Sequence, residues 1–418
     1  MKRWSAALIA LVALPSVLSS QQGQPATASG AWPRARPFPN PVEVPGGFTR
    51  ALQRGTRAAN GLPGPRYWQQ WANYDITISV DPAAKTAGGS ETIVYHNRSP
   101  DTLRTVVVQL TLNIHAPDAV RGESNEATGG VNLTRVAAAG QTLATGAQSG
   151  QPGYAVQGTN LVIRPAAPVL PGDSIRLELA WNFTIPQAGA SGRMGHDSDN
   201  LVHMAYWYPH VAVYDDVNGW STDPFLGTGE FYHGFGNYRY TVEAPAGWVV
   251  LGTGELTNAA QALATPVLQR WQRAMQSDTP VHVVTAADLA GNAITGPATA
   301  NARVRWTFRA DSVRDVAFSV TRQSLWDAAR TPVGDRNGDG RQDYTIINAL
   351  YRQNAPRWRQ AVRYAQQSIT HHSRFTGIPY PYPHMTAVEG EGIIGGGMEY
   401  PMMTLIGAYT QAGDTALY

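Results

Sequence analysis

Three consecutive glycines and a glutamate near the end of the sequence form a candidate binding site. Gly395, Gly396 and Gly397 are followed by Met398 and Glu399. Residues without side chains let another backbone approach closely, so this run is suited to hydrogen-bond an extended peptide. A carboxylate at the end of the run would bind a protonated α-amino group and so select a free N-terminus. The alternative is a bulged edge strand that carries an ordinary surface acid.

The sequence around this run, "YPYPHMTAVEGEGIIGGGMEYPMMTLIGAYTQAGDTALY", resembles the aminopeptidase N family of zinc metallopeptidases. In that family a strand ends in a Gly-x-Met-Glu-Asn motif. Carried over by position, the resemblance implies that Gly396 to Glu399 form this exopeptidase signature. It also implies that Glu399 binds the α-amino group of a peptide substrate and that the glycines align the substrate backbone. Tyr400 stands where the family has Asn. The resemblance covers most of residues 67–418.

The same resemblance implies a zinc ion, but the sequence lacks the HExxH motif that would bind it. Family members carry this motif roughly 20 to 30 residues after the Gly-x-Met-Glu motif, with a Glu that activates water. None of the ten histidines is followed by Glu and a second His at that spacing. Because "GDTALY" resembles the lead-in to the zinc helix, the zinc ligands are expected after Tyr418. No catalytic residue is expected within this chain, which is predicted to be inactive by itself.

Two other groups of residues could bind a metal. The stretch "DRNGDGRQD" offers Asp335, Asn337, Asp339 and Asp343 as oxygen ligands for calcium, although Ile346 occupies the twelfth position, where such loops have an acid. The alternative there is a polar turn between two elements.

The second group contains two adjacent histidines and two nearby glutamates, namely His371, His372, Glu389 and Glu391. These side chains would form a metal cluster only if the fold brought them together. The alternative is that His372 is a core histidine on the apolar face of a helix and that His371 is a cation at the helix end.

Composition favours a β-rich protein with aromatic packing. Charged residues are only 15% of the 418 residues, whereas Gly (42), Pro (29), Tyr (18) and Trp (12) are abundant. The 32 Lys and Arg nearly balance the 30 Asp and Glu, and no basic run occurs, so nucleic acid is excluded as an expected partner. With no cysteine, any metal must be bound by His, Asp or Glu.

The sequence divides into four regions. Residues 1–20 have a basic end and a short apolar run, which predicts a signal peptide and a secreted or periplasmic protein without a membrane span. Residues 21–65 predict a Pro/Gly-rich linker. Residues 66–320 predict a β-rich aminopeptidase-like domain of saddle-like antiparallel sheets, and residues 321–418 predict the incomplete start of an α+β thermolysin-like peptidase domain.

Three stretches carry more local predictions. From Pro356 to Gly377 the spacing predicts a helix with one apolar face that includes Trp358, Val362, Ala365, Ile369, His372 and Phe375. The aromatic block 204–220 predicts inner-face packing of the β domain, with Asp215 and Asp216 turning the chain. The stretch "TPVLQRWQRAMQ" has a modest helical signal that is interpreted as an insertion or a misleading run.

The sequence therefore predicts the N-terminal part of a zinc-dependent aminopeptidase that acts on peptides with a free N-terminus. The alternative is a secreted β-sandwich that binds a peptide or a glycan without catalysis.

Overall fold

Strands dominate the computed structural model, which describes residues 43–146, 150–198, 200–296 and 302–409. In chain order the strands are β1 (Trp71–Asp81), β2 (Thr86–His96), β3 (Val106–Gln109), β4 (Asn132–Ala138), β5 (Gln141–Thr142), β6 (Gly153–Gln157), β7 (Asn160–Arg164), β8 (Ser174–Thr184), β9 (Met194–Asp197), β10 (Leu201–Met204), β11 (His210–Val211), β12 (Tyr214–Asp215), β13 (Gly219–Trp220), β14 (Gly236–Pro245), β15 (Val249–Gly252), β16 (Glu255–Leu256), β17 (Val281–Val284), β18 (Arg303–Val313), β19 (Phe318–Thr321), β20 (Ser324–Gly334), β21 (Asp343–Arg352), β22 (His384–Glu389), β23 (Gly397–Tyr400) and β24 (Met403–Ile406).

The helices lie between these strands and are mostly short. They are α1 (Gly46–Arg54), α2 (Gly189–Gly192), α3 (Ala259–Ala262), α4 (Thr265–Ala274), α5 (Ala286–Ala290) and α6 (Ala361–Thr376), with 3-10 helices at Thr111–His115 and Pro356–Gln360. The fold-class prediction of a mainly β chain is confirmed. The assignment of its last part to a thermolysin-like domain stays a prediction.

The largest sheet has the strand order β16-β18-β14-β1-β2-β8-β4-β5. Its strands alternate between buried and exposed residues, as in β1, where Tyr74, Ile76 and Ile78 are buried. This period of two buries one face of a strand and leaves the other at the surface. Two four-stranded sheets, β15-β19-β10-β9 and β11-β3-β7-β6, contribute side chains to the same large core.

The aromatic block contributes to this core, as predicted. The indole N–H of Trp207 donates to the carbonyl of Val316 at 2.9 Å, and the indole N–H of Trp181 donates to the carbonyl of Trp207 at 2.9 Å. Asp215 accepts backbone N–H bonds from Val217 and Asn218 at 2.9 and 2.6 Å. Asp215 thus turns the chain, and both indole donors are satisfied inside the core.

A six-stranded sheet contains the last part of the described chain, in the order β17-β20-β21-β22-β24-β23. Strands β21, β22 and β24 run parallel, whereas β23 runs antiparallel to β24. A second, smaller core lies between this sheet and α6 and includes Ile347, Trp358 and Val362. Strand β17 pairs with β20 across the predicted boundary between residues 320 and 321, and that boundary stays a prediction.

Helix α6 follows the prediction in its first turns and departs from it in its last one. A 3-10 turn containing Pro356 precedes it, and Gly377 ends it with a left-handed φ of 69°. Ile369 is buried, but His372 is exposed and Phe375 is 81% exposed. The interpretation of His372 as a core histidine is wrong, because the described part of the chain places no layer over the last turn of α6.

One further stretch differs from the predictions, and another short helix follows it in the chain. The stretch interpreted as an insertion or a misleading run is a helix, α4, whose Trp271 packs on Trp326 with ring centroids 4.9 Å apart. The region after β17 forms α5, whose capping box joins Thr285 and Asp288. Tertiary packing and a cap stabilise these short helices among strands.

The N-terminal predictions fall largely outside the described residues. The signal peptide and residues 21–42 of the predicted linker lie there. The rest of that linker contains α1, in which Ala51 is buried. Among the described helices, none combines the length and apolar character that a membrane-spanning helix needs.

Candidate functional site

Strand β23, which carries the glycine run and Glu399, lies at the edge of the six-stranded sheet. It pairs with β24 on one side, and no described strand pairs with its other side. The hairpin turn at Pro401 and Met402 connects the two strands, and the Thr253 hydroxyl donates to the carbonyl of Pro401 at 2.7 Å. An edge strand of this kind presents unpaired N–H and C=O groups to a further strand.

The pairing register identifies which backbone groups face outward. Tyr400 pairs with Met403, and Met398 pairs with Leu405. The Gly407 N–H donates to the carbonyl of Gly396 at 2.8 Å, which continues the same alternation. In an antiparallel pair the intervening residues direct their N–H and C=O groups away from the partner strand. The outward groups therefore belong to Gly395, Gly397 and Glu399.

The fold itself does not require glycine in this run. A Cβ added to Gly395 or Gly396 would meet no atom within 4 Å, and at Gly397 the closest atom is the Leu405 carbonyl oxygen at 3.8 Å. None of the three has a positive φ. Glycine in a strand costs roughly 0.5–1 kcal/mol relative to alanine. The run is therefore better explained by the close approach of another molecule than by packing within this chain.

Gly392, in the loop before the run, shows the opposite behaviour. Its φ is +89°, and an added Cβ would lie 2.7 Å from Cγ of Asp197. This glycine is required by the fold, because any side chain there would meet both backbone strain and a clash.

Gly397→Val is expected to leave the free energy of unfolding within about 1 kcal/mol of the wild type, since valine suits a strand and has room. Binding of a short peptide is expected to weaken at least tenfold, because the valine would stand beside the side chains of a paired strand. Chemical denaturation and calorimetric titration measure the two effects. Gly392→Ala is the matched control, with a large loss of stability expected. Unchanged peptide binding by Gly397→Val would contradict the role given to the run.

Glu399 is exposed, and its carboxylate makes no hydrogen bond or ion pair with the described residues. Its side chain shares a face of β23 with Gly397, whereas Met398 and Tyr400 are buried on the other face. Burial, followed by the charges of Asp315 and other groups including Glu399, raises the pKa of Tyr206. The charge of the Glu399 carboxylate therefore acts on Tyr206, and the carboxylate is available to a cation from outside.

Tyr400, which replaces the family's Asn, attaches β23 to the β domain. Its hydroxyl donates to the carbonyl of Arg193, and its ring lies 5.1 Å from the ring of His203 and 6.2 Å from that of Tyr206. The residue that departs from the family motif is thus an anchor between the edge strand and the β domain.

Tyr206 is a bulky residue with a strained backbone next to this strand. Its φ is 57°, a conformation rare for such a side chain, although the residue is buried. Its ring stacks on Phe231 at 3.9 Å. Arg193 donates to the Glu230 carboxylate at 3.1 Å beside it, so Glu230 adds a second acid to this side of the edge strand. Strain of this kind concentrates at functional sites.

A largely buried arginine, Arg352, connects the glycine-rich loop to the β domain. Arg352 at the end of β21 forms a two-pronged ion pair with Glu389, with Nε–Oε2 and Nη2–Oε1 distances of 2.6 and 2.5 Å. Its Nη1 also binds Asp197 on β9, and Nη2 donates to the carbonyl of Glu391 at 2.9 Å. This ion pair fixes the start of the loop that leads to β23.

The calcium candidates lie in one loop, between β20 and the start of β21, and their role as calcium ligands stays a prediction. The Asp335 carboxylate accepts N–H bonds from Gly338, Asp339 and Gly340 at 2.7, 3.1 and 2.7 Å. These bonds, that from Gly340 first, lower the pKa of Asp335. Asp343 accepts the N–H of Arg336 at 2.8 Å. The loop between β20 and β21 is held by its own carboxylates, as in the polar-turn alternative.

Asn337 belongs to the same loop, and its side-chain N–H donates to Asp339 at 3.4 Å. The members of the second metal candidate have different surroundings, since His371 and His372 are exposed on α6 whereas Glu389 is buried against Arg352. Within the part of the chain that the structure describes, no three His, Asp or Glu side chains are arranged to hold a metal ion.

Sequence reasoning identified Glu399 but missed the residues that surround it. Arg193, Glu230 and Arg352 lie 47 to 206 positions away from Glu399 and stand in no recognisable local motif. Tyr206 was singled out only as part of the aromatic block, and Glu389 and Glu391 only as metal ligands. The packing of β9 against the loop 390–396 brings the β domain next to the strand that carries Glu399.

No protein-family model matches the chain. No curated protein matches it. Among solved structures, an M1 zinc metallopeptidase from Deinococcus radiodurans is 13% identical with a TM-score of 0.47, over 83% of this chain and 62% of that one. A two-domain M1 zinc metallopeptidase mutant bound to L-arginine is 13% identical with a TM-score of 0.49, over 84% of this chain and 63% of that one. A mutant of the Deinococcus enzyme bound to a Tyr-Ser-Ala substrate is 12% identical with a TM-score of 0.43, over 84% of this chain and 63% of that one. The chain spans less than two thirds of these structures, and its membership of the aminopeptidase N family stays a prediction.

Proposed function

We propose that this chain binds peptides by their free N-terminus at the edge strand β23, as the substrate-binding part of a zinc-dependent aminopeptidase. The observation that carries the proposal is an edge strand that no described strand covers, with Glu399, a carboxylate without a described partner, at the end of a glycine run that the fold does not require. A peptide added beside β23 would receive backbone hydrogen bonds from Gly395 and Gly397. Its α-ammonium would then pair with Glu399.

Electrostatics supports the preference for an ammonium group. Asp315, Glu230 and Glu399 all act on Tyr206, and the charge of Arg193, which pairs with Glu230, opposes them. Acidic groups therefore outnumber cations around this ring, and Glu399 has no ion-pair partner among the described residues. An acetylated or mid-chain peptide would leave that charge unpaired and lose the ion pair.

The described residues do not fit a zinc site. No three suitable ligands come together among them, so no step of hydrolysis is derived for this chain. Removal of N-terminal residues by the whole enzyme is part of the proposal, with zinc ligands supplied by residues other than those described. Secretion or a periplasmic location is likewise proposed from the sequence of residues 1–20 alone.

Glu399→Gln tests the proposal directly. The variant keeps the size of the side chain and removes its charge, so binding of a short peptide with a free N-terminus is expected to weaken about tenfold or more, whereas binding of the N-acetylated peptide is expected to be unaffected. Calorimetric titration of both peptides against both proteins gives the four affinities. Glu255→Gln, at an exposed acid on β16, controls for a general change in surface charge.

Equal effects of Glu399→Gln on the two peptides would rule out amine recognition. Binding of neither peptide by the wild-type chain would favour the alternative, a non-catalytic β-sandwich that binds another ligand. A specific observation supports that alternative as well, because the β domain contains an aromatic pocket apart from β23.

A further inference from the structure

A pocket in the β domain is walled by aromatic side chains from three segments of the chain. Residues 67–72, 210–216 and 232–235 line it together with Tyr74 and Tyr95, and none of residues 390–409 does so. Its rings include Trp68 stacked near Tyr214, with centroids 5.7 Å apart. The other rings of the wall are those of Tyr67, Trp71, Tyr74, Tyr95, Tyr232 and Phe235.

The size of the pocket limits its ligand. The free volume is about 70 Å³. A single water needs roughly 10–15 Å³ of such volume, so the pocket accepts a group of about five or six non-hydrogen atoms. This excludes a nucleotide or an oligosaccharide inside the pocket and allows a compact head group.

The charged residues of the wall are both acids, Asp215 and Asp216. Asp216 is neutralised by Arg57, whose Nε and Nη2 donate to its carboxylate at 2.9 and 2.8 Å. Asp215 accepts bonds from backbone N–H groups and from the hydroxyl of Tyr232 at 3.1 Å, and no described Lys, Arg or His nitrogen lies within 4 Å of it. Asp215 therefore has no direct ion pair among the described residues, and the nearest cation that acts on it, Arg57, is already paired with Asp216.

The histidines of the wall do not supply a positive charge at neutral pH. His210 and His233 stack at 4.3 Å in the inner part of the pocket. Burial is the main cause that lowers the pKa of His210 to about 4 and that of His233 well below its usual range. Nε2 of His233 and the hydroxyl of Tyr95 are buried and lack a hydrogen-bond partner among the described residues.

Rings of this wall already attract cations. The guanidinium carbons of Arg57, Arg98 and Arg314 lie 4.8, 5.3 and 5.0 Å from the ring centroids of Tyr67, Trp71 and Phe235. None of these arginines lines the pocket itself. The faces of electron-rich rings around a site with a carboxylate at its wall favour a cation whose charge is spread over apolar groups.

We propose that this pocket binds the head group of a small organic cation of the trimethylammonium type, with Asp215 as the counter-charge and Trp68 and its neighbouring rings as the walls. The site is independent of the edge strand β23, so its test does not depend on peptide binding. A free cation such as choline and a choline lipid share this head group.

The test is titration of the protein with choline, followed by tryptophan fluorescence and by calorimetry. Its neutral isostere 3,3-dimethylbutan-1-ol has the same shape without the charge. Choline is expected to bind at least about tenfold more tightly than the alcohol, as cation–π and ion-pair attraction predict. Equal binding of both, or binding of neither, would overturn the proposal.

Two variants locate the site. Asp215→Asn keeps an acceptor for the turn and is expected to weaken choline binding about tenfold while leaving binding of the alcohol unchanged. Asp118→Asn, at an exposed acid, is the matched control and is expected to have no effect. Trp68→Phe retains a ring, whereas Trp68→Ala removes it, so choline affinity is expected to fall only with the latter. Loss of affinity in the Asp118 variant as well would overturn the assignment to Asp215.

Phosphatidylcholine vesicles distinguish the two sources of the head group. Binding of free choline without binding of vesicles assigns a soluble cation. Sedimentation with phosphatidylcholine vesicles that choline competes away assigns a lipid. Vesicle binding that choline does not displace and that Asp215→Asn does not reduce would contradict the proposed site.

Discussion

Arg352→Met is expected to lower the free energy of unfolding by about 3–5 kcal/mol, since it leaves the buried Glu389 carboxylate without its cation. The Glu389 side chain is 1% exposed and that of Arg352 is 12% exposed. The same change releases Asp197 and the carbonyl of Glu391. Chemical denaturation at pH 7 measures the loss. Hydrogen exchange of residues 390–399 should show faster opening of the loop that leads to β23.

A double variant provides the control for this prediction. Arg352→Met combined with Glu389→Leu removes both charges, and replacing a buried pair by apolar side chains is often neutral. Much of the lost stability should therefore return, even though Asp197 still lacks its partner. The free energy of unfolding of Arg352→Lys should lie between those of the wild type and Arg352→Met, because a lysine keeps the charge but cannot donate in the two-pronged geometry. A loss below about 1 kcal/mol for Arg352→Met would contradict a buried, structurally important pair.

Stability is expected to fall as the pH is lowered below about 6.5, because burial lowers the pKa of several histidines, four of them strongly. Burial lowers the pKa of His203 to about 3, those of His210 and His384 to about 4, and that of His233 well below its usual range. In the unfolded chain they titrate near 6.5. Below that pH the unfolded state binds more protons, so each histidine removes up to about 1.4 kcal/mol of stability per pH unit until its folded pKa is reached.

Two buried acids oppose this loss. Burial raises the pKa of Glu91 well above its usual range and that of Asp315 to about 6. The folded state binds their protons first, so each of these acids adds stability as the pH falls towards its unfolded pKa. With four groups against two, the net loss is about 2–3 kcal/mol per pH unit near pH 5.5. Denaturation midpoints between pH 5 and 8 measure it.

Glu91→Gln isolates one of the opposing groups. Neither carboxylate oxygen of Glu91 has a hydrogen-bond partner in the described structure. The amide does not titrate, so the variant should be more stable than the wild type at pH 8, and its stability should fall more steeply with acid. A wild-type profile that is flat between pH 5 and 7 would contradict the neutral burial of the histidines.

The sequence by itself determined the local elements and the residue at the centre of the candidate site. Alternating apolar residues predicted strands such as β1, and helical spacing with Pro356 and Gly377 predicted α6, because these patterns depend on backbone periods within a few residues. The glycine run and Glu399 could also be identified from the sequence, because they are neighbours in the chain. The exposure of His372 and the formation of helix α4 could not be predicted from the sequence, since both depend on which other elements pack against these helices.

Only the tertiary structure decided how the candidate site is built. The edge position of β23, the ion pair of Arg352 with Glu389 and the contact of Tyr400 with Arg193 join residues far apart in the chain. The aromatic pocket likewise combines residues 67–72 with residues 210–216 and 232–235. Such contacts depend on how sheets stack and which strand is last in a sheet. No local pattern contains that information, because the free energy that selects these contacts comes from burial and charge pairing across the whole fold.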